Sequence, residues 1–193
     1  MKLPLAMVAL CIAAVPAAQA GPRLFSTVLT PEVAGATGSG TVDLSYDSVN
    51  HKLSIDTDFS GLSGGTTVAH IHCCVAAPGT VGVAVTPGTL PGFPVGLSAG
   101  SYSVVLALDD PITYTAGFLA NFGGGTVAGG EAALIAGLTG STAYFNVHTN
   151  LFPTGEIRGF LAQVPEPPSY ALLSLGLFAM GAAALRMRSG RGT

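Results

Sequence analysis

The sequence predicts an all-β domain, a sandwich or barrel of short strands, set between two terminal targeting segments. Three observations lead to it. Apolar side chains in the middle of the chain recur with a period of two, as half-buried strands require. The alternating runs are short, and Gly, Pro, Asn and Asp stand between them as turn residues do. The two long apolar stretches that lack alternation lie at the two ends of the 193 residues.

The first element, MKLPLAMVALCIAAVPAAQA, carries one cation at Lys2, an apolar run from Leu3 to about Val15, and Ala18 and Ala20 around Gln19. This is the order of a secretory signal peptide with an A-x-A cleavage site, which sets the mature start at Gly21 and makes the Sec export machinery a partner. A retained anchor is the competing reading, but the run is shorter than the ~20 residues a span needs. Export decides how the cysteines read. Cys11 leaves with the signal, and Cys73 and Cys74 then meet an oxidising compartment with no third thiol in the chain.

Residues 21–164 suit one domain with a real core. Val42, Leu44 and Tyr46 alternate with Asp43 and Ser45; Leu53, Ile55 and Phe59 alternate with Ser54, Asp56 and Asp58; the intervening DSVNH makes the two runs a hairpin. Further alternation follows at Val81, Val83 and Val85, at Tyr102, Val104, Leu106 and Leu108, at Ala143, Phe145 and Val147, and at Ile157, Gly159 and Leu161. Two stretches break the pattern. TPGTLPGFPVGLSAG, residues 86–100, reads as a long Pro/Gly loop of the kind that carries contacts with partners, and EAALIAGL from Glu131 as a short helix. Helix is expected to be confined to a turn or two near Tyr114 and Glu131.

The charge of this body excludes one class of partner. Arg23, Lys52 and Arg158 oppose nine carboxylates, so residues 21–164 carry a formal −6 that the whole-chain value of −3 conceals. A chain so poor in cations is no nucleic-acid binder. Neither a phosphate-cradling loop nor G-x-S-x-G is present, and the glycine runs at Gly64-Gly65 and Gly123-Gly124-Gly125 read as turns. Glu156 and Arg158, two apart, read as a surface pair closing the final hairpin, in preference to a catalytic acid and an anion clamp.

The last element is VPEPPSYALLSLGLFAMGAAALRMRSGRGT. Tyr170 to Leu185 carries no charge; as a helix it would be about 24 Å long, enough for a thin or locally thinned bilayer of ~30 Å core. Arg186, Arg188 and Arg191 follow, and such a cluster stays cytoplasmic, leaving the body outside. Val164, Pro165, Glu166 and Pro167, the apolar segment and the terminal arginines together resemble the PEP-CTERM sorting signal of exopolysaccharide-producing Gram-negative bacteria. The resemblance implies an exosortase-type membrane protease as partner, removal of the tail near the Pro-Glu-Pro motif, and release to the cell surface or its polysaccharide matrix. An ordinary C-terminal anchor is the alternative.

A second resemblance spans most of residues 24–162. AHIHCC at residues 69–74, the alternating strand after it, Asn146-Val147-His148-Thr149 and Gly155-Glu156-Ile157-Arg158-Gly159 are similar to the CHRD domain, first described in chordin and common in bacterial secreted proteins. It implies an immunoglobulin-like β-sandwich or barrel, and little about activity.

AHIHCC holds two of the four histidines and two of the three cysteines. On a strand His70 and His72 share one face about 7 Å apart, while Ala69, Ile71 and Cys73 share the other. Such a pair is a recurrent ligand set for copper or zinc, and His148, near the end of another strand, is the candidate third ligand. The likeness to the HIH strand of copper–zinc superoxide dismutases covers only a few residues, and His51, in a predicted turn, supplies no further ligand. Scaffold histidines bonded to backbone and loop groups are the competing reading. Cys73 and Cys74 admit two readings as well. Neighbouring Cα atoms ~3.8 Å apart fall below the usual disulfide range, so a ring between them would be strained; alternatively one thiolate ligates a soft metal beside the histidines.

The expected function is therefore a non-enzymatic exported β domain, with no cofactor, deployed at the cell surface or in extracellular polysaccharide in contact with glycans or surface proteins. The alternative is a copper- or zinc-binding secreted protein, with or without redox activity, built on His70, His72 and His148.

Overall fold

The computed structural model of the protein describes residues 21–165 and 176–181. Nine strands make one antiparallel sheet: β1 (Arg23–Pro31), β2 (Ser39–Asp47), β3 (Lys52–Ser60), β4 (Thr66–Cys73), β5 (Val83–Val85), β6 (Gly100–Ala107), β7 (Ala143–Thr149), β8 (Ile157–Phe160) and β9 (Ala162–Gln163). Their order is β5-β4-β7-β8-β1-β2-β3-β6, with β9 added on β1. The sheet curls into a half-barrel, in keeping with the expected sandwich or barrel class.

The β2–β3 hairpin forms as the alternation requires. Asp47 Oδ1 accepts from the amides of Val49 and Asn50 and closes the turn, and His51 takes φ 52° to bring Lys52 back opposite Asp47. β1 joins the two halves of the sheet: its first seven residues pair with β2, and its last two with β8. The curl encloses one core, to which β1 gives Leu29, β3 Leu53 and Ile55, β4 Ala69 and Ile71, β7 Phe145 and Val147, and β8 Ile157, all fully buried. The loop at residues 86–99 lies along β4. Leu90 N donates to Ala69 O, Thr66 N to Leu97 O and Gly96 N to Thr66 O, which satisfies edge groups that β5 leaves unpaired.

Helix exceeds the expected turn or two. A 3₁₀ turn at Pro111–Thr113 is followed by α1 (Ala116–Asn121) and by α2, which runs for 13 residues from Val127 to Thr139. Thr126 Oγ1 caps its start by accepting from Gly129 N, and Gly140 ends it. Gly129 and Gly130 hide this first turn in the sequence, since glycine disfavours helix by about 1 kcal/mol; burial of Leu134, Ile135 and Leu138 against the core overrides the propensity. Glu131, on the same helix, is buried and accepts from Tyr46 Oη (2.8 Å) and His51 Nδ1 (2.8 and 2.9 Å), so it locks α2 to the hairpin.

Ala18, Ala20, Glu166, Pro167, Arg186, Arg188 and Arg191 lie outside the described residues. Gly21, Val164 and Pro165 lie within them, and Val164 N donates to Leu24 O on β1. Residues 176–181 are helical. Among the described residues no helix is long and apolar enough to cross a membrane.

Candidate metal centre

Period two turns His70 and His72 to the outer face of β4, and Ala69, Ile71 and Cys73 into the core. β7 pairs beside it with His70 opposite Asn146 and Val68 opposite His148, so the three imidazoles meet on one face of the sheet. One ring nitrogen from each of His70, His72 and His148 lies within 4.8 Å of the other two. His70 Nδ1 and His148 Nε2 are 3.3 Å apart.

Backbone carbonyls set the tautomers. A carbonyl only accepts, so a ring nitrogen facing one must carry the proton, and a neutral imidazole has a single N–H. His70 donates through Nε2 to Gly88 O (2.9 Å), His72 through Nδ1 to Val81 O (2.7 Å) and His148 through Nδ1 to Pro153 O (2.8 Å). The remaining nitrogens, His70 Nδ1, His72 Nε2 and His148 Nε2, are left as lone pairs, and they are the ones that converge. His72 Nε2 is buried without a hydrogen-bond partner among the described residues. Burial, helped by the neighbouring His148, holds His70 and His72 below the ordinary imidazole range, which favours their neutral, ligating form. In metal sites, carbonyls that accept from the far nitrogen of a ligand ring fix its orientation in this way.

The face has further members. Tyr144, two residues before Asn146, stacks flat on His72 with ring centroids 4.6 Å apart, and its hydroxyl donates to Val81 O, the same carbonyl that orients His72. Arg158 lies 5.0 Å from the centre of the Tyr144 ring, pairs with Glu32 Oε1 at 3.3 Å, and donates to Pro78 O and Gly79 O in the loop that carries Val81. Parity on β7 signals Tyr144 and Asn146, because both are even-spaced from His148. Glu32 and the three carbonyls carry no signal in the sequence, since they come from separate loops.

Of the two cysteine readings the structure shows the ring between them and not the metal ligand, and the reading of Glu156 and Arg158 is corrected. Cys73 and Cys74 are not in the ligand group: their sulfurs are bonded to each other and lie toward α2, near Ala133 O and against Gly137, where a side chain would overlap Cys73 Sγ. Strand parity sends Cys73 to the face opposite His72, and the disulfide leaves neither sulfur as a thiolate. Glu156 and Arg158 are no surface pair. Glu156 precedes β8, beyond the reach of the period-two argument, and is fully buried, where it accepts from Thr149 Oγ1 (2.6 Å) and from the amides of Ser63 and Gly64. His51, by contrast, does sit in the hairpin turn and stays apart from the triad.

Burial alone would raise the Glu156 carboxyl, but the hydrogen bonds from Thr149, Ser63 and Gly64 outweigh it and hold the group below the usual carboxylate range. Its folded pKa is depressed, so its stabilisation is complete above the unfolded carboxyl range and is lost as pH falls through the folded value. Glu156→Gln is expected to cost about 1–3 kcal/mol at neutral pH through imperfectly satisfied donors and to flatten the acid limb of stability against pH. Urea denaturation across an acid pH series measures both. Parallel acid limbs for variant and wild type would show that Glu156 does not titrate with folding.

A curled antiparallel sheet with a helical cap and a polar triad on its outer face defines the class, an all-β half-barrel domain. Residues 25–161 match the family model of the CHRD domain, and the chain belongs to that family. CHRD domains are typically extracellular or secreted, which supports export of this chain. No curated protein and no solved structure matches it.

Proposed function

We propose that the protein is an exported, non-enzymatic CHRD domain of the cell surface or its polysaccharide matrix that holds one Zn(II) or Cu(II) ion on His70, His72 and His148. The convergence of three lone pairs, each fixed by a carbonyl at the far side of its ring, carries this reading. Scaffold histidines would be expected to point polar atoms at partners; here His72 Nε2 has none among the described residues, and His70 Nδ1 faces His148 Nε2. Two ligands bound at ~2.0–2.1 Å in a tetrahedral sphere stand about 3.3–3.4 Å apart, which is the spacing of His70 Nδ1 and His148 Nε2. Imidazole donors suit copper and zinc.

The setting rests on the termini: the signal-peptide pattern up to Ala20, and the Pro-Glu-Pro, apolar and arginine pattern from Val164 onward, which suits sorting by an exosortase-type protease. Low charge and abundant Ser, Thr and Gly suit contact with glycans or other surface components.

Elemental analysis of untagged protein purified without chelator tests the metal reading. About one equivalent of zinc or copper is expected, with less than a tenth of that in His70→Ala. Metal-free wild-type protein that takes up neither ion on dialysis would end the proposal.

A further inference from the structure

Resting on the metal reading above, we infer that Asn146 supplies the fourth ligand of the same ion through Oδ1. The centre is then a closed site of three histidines and one asparagine that staples the fold, in place of an open site that turns over substrate.

Asn146 stands in the middle of β7, between His70 of β4 and Arg158 of β8, and is 2 % exposed. Its parity on the strand is that of His148, so its side chain meets the triad. Oδ1 is 3.1 Å from His148 Nε2. The two spacings around His148 Nε2, 3.1 Å to Asn146 and 3.3 Å to His70, are compatible with ligand atoms on one small ion.

Which end of the carboxamide faces the rings follows from its other end. Nδ2 lies at Gly155, where Glu32 Oε2 also stands, a buried carboxylate oxygen without a hydrogen-bond partner among the described residues. Turning the amide over would set Oδ1 toward that carboxylate, so electrostatics keeps Nδ2 there and presents Oδ1 to the triad. Gly155, at φ 128°, has no side chain to block this approach.

Three ring nitrogens within 4.8 Å of one another, and Asn146 Oδ1 beside that of His148, are then all acceptors with no donor among them. A proton is the simplest cation to place there. On His148 Nε2 it would serve Asn146 Oδ1, yet His72 Nε2 would remain a buried acceptor without a partner. A divalent ion serves all four atoms at once. With four protein ligands no position is left for substrate, and closed sites of this kind contribute folding energy instead of catalysis. The ion would tie β4 to β7 and, through the carbonyl-anchored rings, to the loops at Val81, Gly88 and Pro153.

Co(II), added to the metal-free full-length protein, reports coordination through its visible absorption and affinity through titration. Wild type is expected to bind one equivalent with the intense bands of a four-coordinate ion. Asn146→Ala should keep three ligands, lose band intensity as water enters, and bind about 10-fold or more weakly. Asn146→Asp keeps the oxygen but sets a second carboxylate beside Glu32; it should be less stable than wild type without metal and gain more in melting temperature from Co(II) than wild type does. A merely structural Asn146 would move neither the spectrum nor that differential. Unchanged bands and affinity in Asn146→Ala, or a Co(II) response in Asn146→Asp no larger than in wild type, overturn the fourth ligand and leave the three-histidine site standing. If Asn146→Ala does not fold, the Asp variant decides. Wild type that binds none of Co(II), Zn(II) and Cu(II) overturns both readings.

Discussion

Saturating Zn(II) or Cu(II) is expected to raise the melting temperature of wild type, with chelator reversing the rise and His70→Ala showing neither response. An ion that binds the folded chain alone stabilises it by mass action, about 4 kcal/mol at a free concentration a thousandfold above its Kd. For a domain of this size that corresponds to a rise on the order of 10 °C. His70 is the informative position because its Nδ1 is 3.3 Å from His148 Nε2, while its Nε2 is tied to Gly88 O. Removing the ring deletes one ligand and takes the donor from Gly88 O, so His70→Ala should also lose about 0.5–1.5 kcal/mol without metal. The two effects separate cleanly. A scaffold histidine would give the second alone. Wild type whose melting ignores both metal and chelator would return the three rings to the scaffold.

Phe145→Ala is expected to cost about 3–5 kcal/mol, since it empties a fully buried aromatic site that the curled sheet cannot close over. Phe145 sits on β7 opposite Ile71 of β4 and Gly159 of β8, at the back of the strand pair that carries the triad. Val105→Ala, on the exposed side of β6, is the matched control and should stay within about 0.5 kcal/mol. Chemical denaturation of the two variants reads the difference. Equal losses would mean that the core does not lie on the Phe145 face of the sheet, and the outward placement of Tyr144, Asn146 and His148 would fall with it.

Sorting at the termini adds a further expectation. In a host carrying an exosortase-type protease, the intact mass of the released protein should correspond to a chain starting at Gly21 and ending near Val164. A released species that retains Leu172 to Leu185 would make the tail a permanent anchor.

Parity made much of the site legible. His70, His72 and His148 fall on a common face because strand side chains alternate, and the same rule sends Ile71 and Phe145 inward. The same rule puts Tyr144 and Asn146 on that face, although the sequence reading singled out neither. Parity fails at Glu156, because the residue belongs to the turn before β8 and Gly155 redirects the chain there. Helix length was illegible for another reason. Local propensity counts Gly129 and Gly130 against α2, and only the apolar contacts of Leu134, Ile135 and Leu138 with the sheet outweigh that cost.

By itself the sequence determined the strand pattern, the hairpin, the face on which each strand histidine lies, and the poverty of positive charge, because each depends on residues close together along the chain. Only the tertiary structure decided which ring nitrogens of those histidines are tied to backbone and which are left as lone pairs. Gly88, Val81 and Pro153 choose the tautomers of the rings, and Glu131 meets Tyr46 across 85 positions. These contacts join loops that alternation does not describe, and they exist because curling one antiparallel sheet brings remote backbone carbonyls and carboxylates to the same few ångströms.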